Sequence, residues 1–278
     1  MVKEATKPAA TAKEAWRTTQ NSTIYAPLLR WRPFPVANSS GLAWIKVLAK
    51  NRETGAKTAL IKFDPGFKAP ASTAEWPMDI YVLEGEMTAG NRKYQEGTYH
   101  YRPRGAKVGP IETSQGCTRL IFTSETKEKS SPNEVWVQDT KVFPWSKSYS
   151  DPTGTTRMLK DLRQDPIANM SVLIHSSFVP GLRAVQGNMH AHNHLEEYYV
   201  LKGEFHDFLE EVDTHIISVP GVYVCRPPYQ SMHGDTLSIQ SPGMTFVRRG
   251  WVGKADTFYD NLQEHSPEHK IVPIAFVE

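Results

Sequence analysis

Cysteine is nearly absent from this chain: Cys117 and Cys225 are its two in 278 residues. Standing 108 positions apart, they form neither a CxxC metal pair nor the dense framework of a disulfide-stapled secreted domain. Both fall in apolar stretches rich in β-formers, where buried, unreactive thiols are expected. An excess of charge is also lacking. Lys plus Arg number 32 and Asp plus Glu 30, for a net charge of +2. That balance demands no nucleic-acid or acidic-membrane partner. No window approaches the roughly 18 uncharged apolar residues of a membrane helix. The opening segment, MVKEATKPAATAKEAW, has no apolar core of the kind a secretory signal needs. Residues 1–22 are therefore expected to be a flexible lead-in and the protein to be cytoplasmic, with the sequons at Asn21, Asn38 and Asn169 unmodified. No long apolar period of 3.6 residues is present, so helices should be few and short.

What the chain does contain is self-similarity. YVLEGE from Tyr81 returns as YVLKGE from Tyr199, and GTYHYRPRG from Gly97 returns as GVYVCRPPY from Gly221. Pro65-Gly66 returns as Pro180-Gly181, and Gly116-Cys117-Thr118 as Gly243-Met244-Thr245. The offsets rise in order through 115, 118, 124 and 127, as small loop insertions in a second copy would make them. Each copy reads as short β-branched and aromatic runs bounded by Gly, Pro, Asn or Asp. An all-β protein of two duplicated sandwiches or small barrels is expected. The polar stretch Glu125 to Glu134 is the natural break, giving units over 23–130 and 131–278, with Trp251 to Glu278 as an extra strand or arm.

The second copy carries GNMHAHNHLEEYYVLKGEF. His190 and His192 lie two apart, so on an extended strand they share a face, and Glu196 has the same parity. A lone histidine, His233, follows after Gly221 and Pro227-Pro228. Imidazoles with one carboxylate make a mixed N/O site for a divalent first-row metal. Ligands from several strands converge only if the sheet curves, and a barrel supplies the curvature. His194 sits in the turn as a substitute ligand, and Glu197, of opposite parity, is expected to point outward.

These motifs resemble those of the cupin superfamily. H-x-H followed by E and then G is matched by His190, His192, Glu196 and Gly203, and the second motif by Gly221, Pro227 or Pro228, and His233. Two positions depart from it: Ala184 replaces a loop glycine, and the turn Pro228-Tyr229-Gln230 lacks its glycine. The run G-T-Y-x-Y-R-P and the following S-x-G-C look most like the ChrR-type cupins, whose relatives include small dioxygenases. The resemblance implies two tandem jelly-roll barrels and one divalent metal per chain on His190, His192, Glu196 and His233. Fe(II) is favoured over Zn(II), Ni(II) or Mn(II). In the first copy Ser72, Ala74, Met78 and Val108 stand at the ligand positions. That barrel keeps its turn glycines and is expected to be structural, or to bind a small molecule at a mouth near Trp76, Asp79 or His100.

The activity so implied is that of an oxygenase acting on a small enol, β-dicarbonyl or hydroxyketone. A metal-dependent isomerase, lyase or decarboxylase is the alternative, as is a non-catalytic binding module. Glu196 serves as a ligand or as a general base. Tyr198 shares its parity and either lines the site or packs in the core. Tyr229, Gln230 and Arg248 are the candidate substrate contacts, and Tyr223, Cys225, His206 and Arg226 lie near the second motif. Arg102 and Arg226 occupy equivalent positions, which points to a structural role such as pairing a carboxylate. A small molecule is the expected partner, with a compact monomer or a homodimer as the assembly.

Overall fold

The computed structural model describes residues 22–124, 130–150, 156–178, 190–192, 194–209, 214–228, 237–238, 242–250, 257–259 and 270–271. The lead-in through residue 21 lies outside them. Among the described residues the chain is almost entirely β-strand, and its helical content is one 3-10 turn, Ala26–Leu28. No helix is long and apolar enough to cross a membrane.

Two large antiparallel sheets carry the fold. One runs Val135–Val137, Tyr99–Arg102, Met78–Ala89, Cys117–Thr123, Lys57–Phe63, Ala43–Lys50, Arg32–Pro33. The other runs Ser22–Tyr25, Val222–Arg226, Glu196–Lys202, Gly243–Gly250, Met170–Phe178, Thr156–Asp165, Lys147–Ser150. Position for position the two orders correspond, and one edge strand of each sheet is supplied by the other half. Ser22–Tyr25 pairs with Val222–Arg226, and Val135–Val137 pairs with Tyr99–Arg102. The expected division at 130/131 is thus crossed by strands in both directions. Covering one edge of each sheet with a strand from the other half removes an exposed row of backbone donors and acceptors there.

The repeated Y-V-L-x-G-E has a local cause. Gly85 and Gly203 both have positive φ, at 74° and 84°. A Cβ on Gly85 would stand 2.2 Å from the Gly116 carbonyl oxygen. The ladder shifts register beside each glycine, between Thr118 and Arg119 and between Val200 and Lys202. Such bulges bend a strand and raise its twist, which helps a flat sheet curl.

Three apolar clusters follow from strand parity. Ile61, Ile80, Val82, Tyr94 and Ile121 fill the first half, and Leu173, Val200, Val222 and Val247 fill the second. A third joins the halves through Leu120, Phe122, Tyr99, Tyr223, Cys225 and Phe246. Phe246 is the hub, with ring centroids 4.9 Å from Tyr81, 5.6 Å from Phe122 and 6.0 Å from Tyr99. Both faces of the central strands are therefore covered, so Tyr99–Arg102 and Val222–Arg226 are buried along their whole length. Cys117 and Cys225 are free and buried, as their apolar setting requires.

The seam between the halves also holds charge. Asp79, fully buried, accepts hydrogen bonds from Tyr99 Oη at 2.7 Å, Arg163 Nη2 at 2.9 Å and Arg163 Nε at 3.1 Å. Burial opposes the charge on Arg163, but Asp79 and Tyr99 outweigh it and raise the guanidinium pKa. Glu197 is also fully buried and accepts from Thr58 Oγ1 at 2.6 Å, Tyr223 Oη at 2.6 Å and Arg248 Nη1 at 2.9 Å. Arg248 Nε stands 3.7 Å from Asp79 Oδ2.

Three expectations are corrected here. Glu197 does point out of its own barrel, yet it meets the other half instead of solvent. Arg248, expected to face substrate, is committed to Glu197 and Asp79 in this seam. Asp79 belongs to the same seam and not to a barrel mouth, and Tyr223 joins it there. Parity says which side of a strand a residue leaves from, not what is packed against that side.

Candidate metal centre

Within the second half, alternation along four adjacent strands turns one set of polar side chains inward. Glu196 opens the strand Glu196–Lys202, and its cross-strand neighbours are Arg226 on one side and Arg249 on the other. Arg226 Nη1 donates to Glu196 Oε2 at 3.0 Å. That charge-assisted bond fixes the carboxylate in a largely buried position. Two residues on, Tyr198 is buried among Leu173, Val200, Phe205, Val222, Val224 and Val247. The Arg226 guanidinium carbon lies 5.2 Å from the centroid of its ring. The Tyr198 hydroxyl is buried and has no hydrogen-bond partner among the described residues. A buried unsatisfied hydroxyl is costly, and this one has an aromatic ring and an arginine to hold it in place.

Histidines stand near Glu196. Burial pushes the His175 imidazole down to about 4, with Arg157 and Arg249 adding to the shift and Glu196 opposing it. Burial also lowers the pKa of His194, against the pull of Glu196. Both rings are neutral at pH 7, the form in which an imidazole ligates a metal or accepts a proton. His194 packs against Gly250, where a Cβ would fall 2.3 Å from the His194 Cβ. The sequence reading passed over His175. Its signal lay in the alternation of Val172, Leu173, Ile174 and His175, which sends Leu173 into the same interior.

The strand His190–His192 pairs antiparallel with Thr257–Tyr259, so a piece of the C-terminal tail lies beside it as an extra strand. The backbone places His190 and His192 two apart on one face; their side chains, with His233, Tyr229 and Gln230, lie outside the described residues. Among the described residues no three His, Cys, Asp or Glu side chains are grouped as a metal would need. The donors that are described suit a divalent cation in chemistry: one carboxylate held in place and imidazoles kept neutral. The remaining candidates sit elsewhere. His206 Nε2 is 2.9 Å from Glu204 Oε1, and Tyr223 and Cys225 face the inter-half cluster.

In the first half the aligned positions are described throughout. Ser72 and Val108, aligned with His190 and His233, are direct cross-strand partners. Met78, aligned with Glu196, faces Arg102 just as Glu196 faces Arg226. His100 is buried and turned into the barrel, where Tyr94 Oη meets its Nδ1 at 2.6 Å and Glu134 meets its Nε2.

Residues 19–127 match the family model of the ChrR Cupin-like domain. The chain has the cupin fold. A candidate dioxygenase from Nostoc punctiforme superposes with a TM-score of 0.66 at 17% identity, over 86% of this chain and 87% of that one. The glyoxylate-induced protein of Pseudomonas aeruginosa gives 0.61 at 16% identity, over 89% and 94%. An oxalate decarboxylase from Bacillus subtilis gives 0.51 at 12% identity, over 87% and 80%. No curated protein matches the chain in sequence. Similarity at this level carries the fold, and the chemistry rests on the residues.

Proposed function

We propose that the second cupin half is a metal-dependent catalytic centre for a small oxygenated organic molecule, with oxygenase chemistry as the favoured reaction. His190, His192, Glu196 and His233 would hold one divalent cation, Fe(II) in the favoured case. The observation that carries this reading is the buried Glu196 carboxylate, pinned by Arg226 beside neutral imidazoles in an otherwise apolar interior. The first half supports it, because its aligned positions Ser72 and Val108 meet across two strands.

A cation held there by His190, His192, Glu196 and His233 would supply Lewis acidity, favouring the anionic form of a chelating enol or dicarbonyl. The other contributions belong to the chain. Arg226 orients Glu196 so that one carboxylate oxygen keeps a fixed direction. Tyr198 offers its hydroxyl as a donor toward a substrate oxygen. Val200, Val222, Val224 and Val247 keep the interior dry, which strengthens each of these polar contacts.

Elemental analysis of the full chain, purified without chelators, tests the centre. One metal per chain is expected, with most of it lost in His233→Ala. Full metal content in that variant overturns the ligand assignment. Turnover that proceeds equally well without O2 would replace the oxygenase by an isomerase, lyase or decarboxylase on the same residues.

A further inference from the structure

The first cupin half encloses a cavity of about 220 Å3 lined in part by Arg92, Tyr94, His100, Arg102, Val108 and Glu134. Its charges do not balance. Arg92 is matched by Glu134 through a two-pronged contact, its Nη2 donating at 2.7 Å. His100 is held neutral, since burial pushes its pKa down to about 4. Arg102, in the lining, and Arg119, behind it and outside the lining, have no such match. Both are more than nine-tenths buried, at 9% and 5% exposure. The Nε of Arg102, and the Nε and Nη1 of Arg119, have no hydrogen-bond partner among the described residues. What they touch is soft: Met78 Sδ lies 3.8 Å from Arg102 Nη2, and the Phe63 ring centroid lies 4.7 Å from the Arg119 guanidinium carbon.

The two arginines also feel one another. Burial and then Arg119 push Arg102 down to about 10, and burial lowers Arg119 as well. Two guanidiniums do not share a buried, partnerless space at low cost, because arginine does not shed its proton to escape it. The other half shows what is missing. At the equivalent register Arg226 has the carboxylate of Glu196, whereas Arg102 has the thioether of Met78. The carboxylate that completes the second half is absent from the first, and a cavity stands beside the arginine that lacks it.

We propose that the first cupin half binds a small organic carboxylate, which pairs with Arg102 where Met78 offers no charge. At roughly 30 Å3 per water-sized group, the 220 Å3 cavity holds about seven non-hydrogen atoms, the size of malonate. The bidentate geometry of guanidinium suits a carboxylate. Tyr94 and His100 add polar atoms to the lining and Val108 an apolar side chain. This site is separate from the proposed metal centre and stands whether or not that centre binds metal.

Calorimetric titration of the full-length protein with acetate, malonate, inorganic phosphate and chloride tests it. A carboxylate should bind saturably with a dissociation constant of about 1 mM or tighter, ahead of phosphate and chloride. Met78→Glu would install the partner that Arg226 already has, so it should weaken carboxylate binding at least about tenfold while leaving the melting temperature unchanged or higher. Arg102→Met should lose binding as well, and it decides the matter should Met78→Glu not fold. No saturation by about 10 mM overturns the proposal. So does carboxylate binding that survives in either folded variant, or phosphate or chloride binding as tight as the carboxylates.

Discussion

Removing the Glu197 carboxylate should loosen the whole molecule. In Glu197→Ala, the Arg248 guanidinium, 1% exposed, keeps only the weaker approach to Asp79 at 3.7 Å among the partners described above. Thr58 and Tyr223, both fully buried, lose the oxygen their hydroxyls reach at 2.6 Å. Deleting one member of a buried ion pair costs about 3–5 kcal/mol, whereas an exposed pair contributes about 0–1 kcal/mol. Against a total stability on the order of 5–15 kcal/mol, that is a large share. At about 2–4 °C per kcal/mol for a chain near this size, the melting temperature should fall on the order of 10 °C. Urea unfolding followed by tryptophan fluorescence reads the same loss. Glu197→Gln keeps the shape and an acceptor oxygen, so it should lose less. Arg248→Met added to Glu197→Ala should cost at least about 1 kcal/mol less than the two changes summed, because both remove the same ion pair. If Glu197→Ala stays within about 1 kcal/mol of the parent, water reaches this seam and the halves do not close over it as described.

Other expected outcomes are more local. His100 has a pKa of about 4 in the folded chain against 6.5 ordinarily, so the unfolded state takes up its proton first as pH falls. Its contribution is therefore complete above pH 6.5 and lost on descent toward pH 4, a loss on the order of 3 kcal/mol. His100→Gln should flatten the stability profile over that window, and an unchanged slope would assign the acid sensitivity elsewhere. Tyr198→Phe removes a hydroxyl with no described partner, so stability should hold or rise by about 1 kcal/mol. Turnover in the same variant should fall by at least about tenfold if that hydroxyl donates to substrate, and full turnover would make Tyr198 a core residue. Gly85→Ala places a Cβ 2.2 Å from a backbone oxygen at a φ of +74°, so it should destabilise by about 2 kcal/mol or more in thermal melts; a neutral effect would mean the bulge can relax.

Strand positions were readable because period-2 patterning and turn residues are local. Tyr81 to Glu86, Tyr199 to Glu204 and the glycines between them mark strands that bend at the same place in both halves. The inward parity of Glu196 and Tyr198 followed from the same rule. Harder to see was His175, which carries no motif and matters only because Gly243–Gly250 pairs its strand on one side and that of Glu196 on the other. The burial of His100 was not legible, because the alternation in GTYHYRP does not reveal that both faces of that strand are covered.

The amino-acid order alone determined an all-β chain, its turn glycines, the scarcity of helix and a cluster of metal-ligating residue types in one half. These are consequences of backbone conformation and side-chain direction within a few residues. Tertiary structure decided the rest: the exchange of edge strands, the charged seam of Asp79, Arg163, Glu197 and Arg248, and the two arginines left without a carboxylate in the first half. Those depend on which residues far apart in the chain are buried together. Burial changes the worth of a charge by several kcal/mol, and no local pattern records it.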